Sequence, residues 1–462
     1  MKTGFWRGTF RFEQAALLTL VAACSYAQAQ QAAQPPAGQE APLMLTLSGA
    51  IGQGLKSNLS VLVAGARVDE DAGARERALA AAMLPKVTAE TYANVQNRSL
   101  RAFGISAPGL PLPGVVGPFS NYDFRVYAQQ NVLNLESYRN LKASEQTLAA
   151  GKMDEQNARD LIVRLIAGYY LNAQSAAARA ESARTRVEDS TTLLKLADDR
   201  HQAGTATGVD VLRAKVQLAN DKQALLEAEN QRSQALLELA RQIGLPPATA
   251  LDLAEPLRFA SLTESDPEAL TTTALAARSD YLSLEKQRSA LEEQSKANHA
   301  RWYPRISING NIGELGRSIG SADTTGAIQG QIDFTIFDRD REGEAQQILS
   351  RLKRVDEQMA DMRRGVEEEI RSALLNLESA AEQVTVAEEG QGLAQRELEE
   401  ARDRFSAGTT NNVEVVTAQD ELARAEENTI LAISSHVDAK YALARALGET
   451  EKNVLRFAGK AE

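Results

Sequence analysis

Two acidic residues, each close to one of two related turns, are the side chains of this sequence with the best claim to a chemical role. Asp210 lies six residues after Gly204, and Glu414 lies six residues after Gly408. A carboxylate in the first turn of a helix is stabilised by the positive end of the helix dipole. Taken by themselves, the two acids are therefore typical of helix starts.

Catalytic chemistry has little support elsewhere in the sequence. His201, His299 and His436 are scattered, and none lies at metal-ligand spacing with another histidine or a cysteine. There is no glycine-rich phosphate loop and no nucleophile elbow. The sequence thus predicts a protein that is not an enzyme and that holds no metal or cofactor. The net charge of -11, without a clustered basic face, argues against a nucleic-acid partner.

The first 29 residues are typical of an export signal. Three basic residues precede the apolar run Ala15–Ala23, and a small-residue cleavage site follows at 27–29. The only cysteine, Cys24, ends the apolar run in a pattern that resembles a lipoprotein box, so it is either a lipidation site or part of the removed peptide. No other stretch approaches 18 apolar residues, so any membrane insertion must use strands.

The rest of the chain is a tandem duplication. Residues 131–244 align without a gap on residues 335–448 at a constant offset of 204. Together with the proline clusters, this alignment divides the chain into segments. These are a signal peptide (1–29), a linker (30–43), repeat 1 (44–248), a connector (249–263), repeat 2 (264–450) and a C-terminal tail (451–462).

Each repeat is predicted to contain a helix, two strands, a very long helix, a tight turn and a final helix. The first helix is expected over about 45–83 and 264–302, and the long helix over about 135–200 and 339–404. At 1.5 Å per residue the long helix spans roughly 100 Å, which matches two shorter helices placed end to end. In the turns, Gly204 and Gly408 suit a left-handed helix stop, and Thr205 and Thr409 are expected to cap the helix that follows.

The strands alternate between apolar and polar residues. The segments 87–95 and 306–312 show this pattern, as do the returning segments that contain Phe124 and Phe334. A half-buried soluble sheet and the wall of a transmembrane barrel both give such alternation. Four strands cannot close a barrel, so the membrane interpretation requires an oligomer.

The order and duplication of these features resemble the TolC-like outer-membrane efflux protein family. The resemblance rests on Leu84-Pro85 and Tyr303-Pro304 at the helix-to-strand junctions, and on Ala-Gly-Thr turns followed by Val-acid-Val. It implies a mainly α fold with a pair of β-hairpins, in which each chain forms one third of a 12-stranded outer-membrane β-barrel and of a periplasmic α-helical barrel. It also implies a homotrimer in contact with outer-membrane lipid, a periplasmic adaptor and an inner-membrane transporter. The function so implied is the exit duct of an efflux or type I secretion system in a Gram-negative outer membrane.

The resemblance further assigns candidate site residues. At the periplasmic entrance it implies a ring of acids at Glu414, with Asp210 on the other hairpin and Thr417 where relatives carry a second acid. The implied adaptor-docking residues are Ala203, Gly204, Thr205, Val209, Leu212, Ala407, Gly408, Thr409, Val413 and Val416. The same residues also suit ordinary helix-hairpin folding. A periplasmic adaptor or a structural coiled coil is the alternative function, and the sequence does not name the cargo.

Overall fold

The computed structural model describes residues 42–104, 113–262 and 266–458. The expected signal peptide with Cys24, most of the 30–43 linker and the end of the tail lie outside the described residues. Within the described ranges, no helix is long and apolar enough to cross a membrane.

Repeat 1 has the predicted order of elements, with one additional short strand at its start. In chain order they are β1 (Leu43–Leu45), α1 (Leu47–Ser57), α2 (Leu59–Met83), β2 (Lys86–Ser99), β3 (Val115–Leu133), α3 (Leu135–Gln202) and α4 (Gly208–Gln242).

Repeat 2 follows the same order, and a short helix comes after it. After the connector strand β4 (Leu251–Leu253), its elements are α5 (Pro267–Ala277), α6 (Ser279–Ala300), β5 (Arg305–Gly316), β6 (Ala322–Asp333), α7 (Asp340–Ser406) and α8 (Asn412–Leu447), and α9 (Thr450–Phe457) follows at the start of the tail. The helices α3 and α7 have 68 and 67 residues and confirm the predicted long helices.

The first helix of each repeat is broken into two, where the sequence predicts one continuous helix. At Asn58 the backbone is extended, and its side-chain oxygen accepts the N–H of Ser60 and so begins α2. Asparagine competes with the helix in this way because its amide satisfies a free N–H at a helix start. At Arg278 the backbone is also extended, and the guanidinium binds Asp280 at 2.7 Å. The helical spacing of apolar residues continues through both breaks, and for that reason periodicity did not reveal them.

The four long strands form one antiparallel sheet in the order β2, β3, β5, β6. Its register aligns apolar residues on one face: Val126 lies between Ala89 and Ile312, and Ile312 lies opposite Gly326. The other face is polar. One of its rows contains Lys86, Gln129, Asn309 and Gln329. The predicted alternation is thus continued across all four strands, and it gives the sheet two chemically different faces.

The helices pack as a layer that extends from the sheet to the two turns. The long helix α3 packs against α2 and α4 of its own repeat and against α6 of the other repeat, while α7 packs against α6 and α8. The main core lies midway along this layer and is capped by α9 through Val454 and Phe457. At the same level β1 and β4 pair in parallel and join the linker to the connector, a contact that the repeat pattern did not predict.

Candidate functional site

The first helical hairpin turns at Ala203 and Gly204, at the end of the helix layer away from the sheet. Gly204 has a φ of +75°, and the N–H of Thr205 donates to the carbonyl of Arg200 at 2.9 Å. The second turn repeats this geometry, since Gly408 has a φ of +80°. Both left-handed helix stops are therefore confirmed.

The threonines after these glycines do not cap the next helix, and this prediction was wrong. The hydroxyl of Thr205 donates to the carbonyl of Arg200, and that of Thr409 donates to the carbonyl of Arg404, so each closes the preceding helix. The N-caps are Thr207 for α4 and Asn411 for α8. Each N-cap therefore lies two residues further along the chain than the predicted threonine.

Asp210 is buried, with 7% of its surface exposed, and it completes a capping box. Its carboxylate accepts the N–H of Thr207 at 3.0 Å and the hydroxyl of Thr207 at 2.7 Å. Burial by itself would raise the pKa of Asp210, but the hydrogen bonds from Thr207, with help from Arg213, hold the pKa below its ordinary value. The carboxylate is therefore ionised and fully engaged in closing the first turn of α4.

Glu414, the matching acid of repeat 2, is in a different environment. Its carboxylate lies 2.7 Å from Arg404, and its side chain is 39% exposed. Asn411 caps α8 in place of a capping box, so the helix start does not use the Glu414 carboxylate. Thr417, one turn further along, is exposed. Of the three predicted entrance residues, Glu414 is the one that presents a carboxylate near the surface.

The two hairpin ends are held together within the chain. The side-chain amide of Asn412, which is completely buried, donates to the carbonyl of Asp210 at 2.6 Å. The guanidinium of Arg200 lies over the ring of Phe405 at 4.8 Å. Beneath these contacts lies a small apolar core drawn from both hairpins, including Val211, Phe405 and Val415.

Arg200, Phe405 and Asn412 thus join the two hairpin ends, a contact that the sequence interpretation missed. The duplication contained a signal for one of them. Phe405 occupies the position of His201 in the alignment, so an aromatic ring replaces an exposed imidazole in only one copy. At this position the difference coincides with a contact between the repeats, because the ring of Phe405 lies against Arg200.

Nine of the ten predicted docking residues are exposed at the two ends. Leu212 is the most exposed of the apolar ones at 63%, followed by Val209 and Val413. Val416 is the exception, because it is partly buried and packs against the apolar core beneath the turns. In the part of the chain that the structure describes, no group of three His, Cys, Asp or Glu residues is placed to hold a metal ion. The site therefore offers an apolar surface around two turns and a charged pair at Glu414.

Two curated relatives of this chain carry the same name. The pyoverdine export outer membrane protein OpmQ of Pseudomonas aeruginosa is 26% identical over 172 residues, which cover 37% of this chain and 36% of the relative. The protein of the same name from Pseudomonas putida is 22% identical over 322 residues, which cover 65% of each chain. The match thus spans from about a third to just under two thirds of these relatives' length.

Similarity to solved structures concerns the fold. The outer membrane protein VceC of Vibrio cholerae superposes with a TM-score of 0.71 at 20% identity, over 87% of this chain and 96% of that one. The family model described as "Outer membrane efflux protein" matches residues 50–245 and 270–449, which is most of the chain and both of its repeats. The chain belongs to the outer membrane efflux protein family, in the outer membrane of a Gram-negative bacterium with its helical part in the periplasm.

Proposed function

We propose that three copies of this chain form an outer-membrane exit duct for an efflux system. In this assembly the four-stranded sheets of three copies close a 12-stranded barrel, and the helical hairpins continue it into the periplasm. Such a duct catalyses no reaction and holds no cofactor. The energy for transport comes from an inner-membrane transporter, to which a periplasmic adaptor joins the duct.

The observation that carries this proposal is the two-faced sheet joined directly to the long helices. Ile308 and Ile332 lie on its apolar face and are 48% and 58% exposed, while Asn309 and Gln331 lie on the polar face. An exposed apolar face of this size is unstable in water but suits the hydrocarbon of a bilayer. The polar face then suits a water-filled interior.

The exposed turns support a docking role for the hairpin ends. Around each glycine with a positive φ the chain exposes small and apolar residues. The exposed apolar side chains include Leu212 and Val209 on α4 and Val413 on α8. An apolar surface at the free end of a helical hairpin suits the end of another helical hairpin. Val416 packs inward, so we omit it from the proposed docking surface.

The entrance charge is assigned to Glu414. Around a threefold axis, three copies of this carboxylate approach one another and attract cations. Asp210 is engaged in its capping box, so its proposed contribution to the entrance is small. The Arg404 partner reduces the negative charge at each Glu414, so a modest cation preference is expected.

The cargo proposed for the first test is a siderophore, because the two curated relatives above are named for pyoverdine export. In a strain that lacks the native gene, plasmid-borne wild type should restore siderophore in the medium. Leu212→Asp should fail to do so while still reaching the outer membrane, since it places a charge on the docking surface. Gln223→Asp, on an exposed position of the same helix, is the matched control and should restore export. Equal export by both variants would remove Leu212 from the docking surface, and no export by wild type would remove the siderophore as cargo.

A further inference from the structure

Two basic side chains are buried one helical turn apart on α8. His436 is 0% exposed and Lys440 is 3% exposed. Burial of an uncompensated charge is costly, so a buried lysine normally has a carboxylate partner. The salt bridges among the described residues include none to either side chain.

The cover over this pair is a segment of the connector without regular structure, residues 254–262. The ring of Phe259 lies 4.7 Å from the ring of His436, centroid to centroid. The ammonium group of Lys440 donates to the carbonyl of Ala260 at 3.0 Å. Neither ring nitrogen of His436 has a hydrogen-bond partner among the described residues.

The charged groups on the described part of the connector and on α5 are either engaged with other partners or exposed to solvent. On the connector, Glu255 accepts hydrogen bonds from the N–H of Leu47 and the hydroxyl of Tyr170. Arg258 is exposed on the same segment, and Glu268 is exposed on α5.

On the helices around the site, the charges form pairs with each other. Arg164 of α3 binds Asp438 of α8 at 2.7 Å, and Glu369 of α7 binds Arg278 at 2.5 Å. Among the residues that the structure describes, no carboxylate is therefore placed to compensate a proton on His436.

Repeat 1 has different residues, with different partners, at the equivalent positions. Arg232 takes the place of His436 and binds Asp252 of β4 at 2.9 Å, and Leu236 takes the place of Lys440. In the first copy the connector thus supplies a carboxylate to a half-exposed cation. In the second copy the connector supplies an aromatic ring and a carbonyl, which accommodate a neutral imidazole.

We propose that His436, Lys440 and residues 254–262 form a clasp that opens in acid. When His436 takes up a proton, a second positive charge appears beside Lys440 under an apolar cover. Residues 254–262 then move away from α8, so that water can solvate both cations. Because the segment joins the two repeats, its release loosens the middle of the helical layer without breaking the sheet or the hairpin ends.

The direction of the pH effect follows from the two states of the clasp. In the closed state burial, with the charge of Lys440, lowers the pKa of His436 below its ordinary value of 6.5. In the open state the imidazole regains that ordinary value. Below pH 6.5 the open state consequently binds more protons, and the closed state loses stability as the pH falls.

Hydrogen exchange on the full-length protein in detergent tests this proposal. The segment 254–262, in which the N–H of Ala254 donates to the carbonyl of Leu45 at 3.0 Å and Pro256 has no N–H, should lose protection between pH 7.5 and pH 5, after correction for intrinsic exchange rates. The loss should approach, but not exceed, about tenfold per pH unit, the limit for one linked proton. His436→Leu should keep these amides protected at both pH values. Lys440→Met should make the loss smaller, because removing that charge raises the closed-state pKa of His436 toward its ordinary value. His299→Leu, which removes an exposed histidine, is the control and should respond like wild type.

Two results would overturn the clasp. One is protection of residues 254–262 that does not change with pH in the wild type. The other is a pH response that persists in His436→Leu. Since the readout is exchange and not export, the clasp and the proposed duct can fail independently.

Discussion

The carboxylate of Asp210 is expected to stabilise the first hairpin, because it completes the capping box of α4. Asp210→Asn keeps the size of the side chain but removes its charge and changes its acceptors for Thr207. We expect the free energy of unfolding to fall by about 1 kcal/mol, a typical value for a lost N-cap interaction. Glu414→Gln is the matched control, and as a surface ion pair it should cost less than about 1 kcal/mol. Denaturant unfolding in detergent measures both stability losses. A larger loss for Glu414→Gln than for Asp210→Asn would contradict the structural role assigned to Asp210.

The same carboxylate predicts a dependence on pH. The folded state holds the pKa of Asp210 below its ordinary value of 3.8, so its contribution to stability is present above that value. This contribution is lost as the pH falls below 3.8 and through the folded-state pKa. The stability difference between wild type and Asp210→Asn should accordingly be constant from pH 5 to 7 and shrink below pH 3.8. A difference that grows in acid would contradict the capping role.

Glu414 is predicted to act on ions at the entrance. Glu414→Ala should reduce cation selectivity in planar-bilayer recordings, because three like charges near one axis attract cations. Asp210→Ala should have a weaker effect, since that carboxylate is engaged and buried. An unchanged reversal potential in Glu414→Ala under a salt gradient would remove this residue from the entrance.

How much of the site the sequence predicted depends on the physical origin of each feature. Gly204 was predictable because a left-handed backbone conformation selects glycine locally. The contact between Asn412 and the carbonyl of Asp210 was not, because it joins residues about two hundred positions apart and leaves no periodic pattern. The Thr207 cap was missed because Thr205 offers the same hydroxyl two residues earlier.

At the scale of elements, the turns impose a backbone requirement that single substitutions can isolate. Gly204→Ala meets no atom within 4 Å of the new Cβ, so any loss comes from its φ of +75°. We expect a loss of about 1 kcal/mol. Gly392→Ala, in the interior of α7 and also in open space, should instead stabilise by about 0.5 to 1 kcal/mol. The opposite signs are measured by thermal unfolding, and a loss in both variants would point to packing instead of backbone strain.

The sheet provides a second prediction at this scale. Ile308→Lys places a charge on the apolar face and should cost about 2 to 4 kcal/mol near the bilayer midplane. Asn309→Lys, the next residue on β5, points to the polar face and should be tolerated. The yield of assembled protein in the outer membrane compares the two. Equal yields would show that the apolar face does not contact lipid.

The elements themselves were mostly predictable, because duplication and periodicity act over long stretches. The two long helices and the four strands have the expected order, and α3 extends the expected helix by only two residues at Gln202. The breaks at Asn58 and Arg278, the pairing of β1 with β4 and the helix α9 were not anticipated. Each depends on side-chain capping or on contacts between distant segments, which apolar spacing alone does not encode.

At the scale of the whole molecule, the single chain is incomplete as a duct. Its sheet has two edge strands, β2 and β6, whose outer sides have no partner strand among the described residues. An unpaired sheet edge offers a row of free N–H and C=O groups that can pair with a strand of another chain. Pairing β2 of one copy with β6 of the next closes both edges and makes the apolar face continuous. In the proposed assembly the third copy completes the ring.

The most direct test of this account is the mass of the protein as it is extracted from the outer membrane. Native mass spectrometry of detergent-extracted, unheated protein should give three times the mass of the mature chain. The complex should dissociate to single chains on heating. A protein that is recovered as a single chain from the soluble periplasmic fraction would contradict the proposed duct.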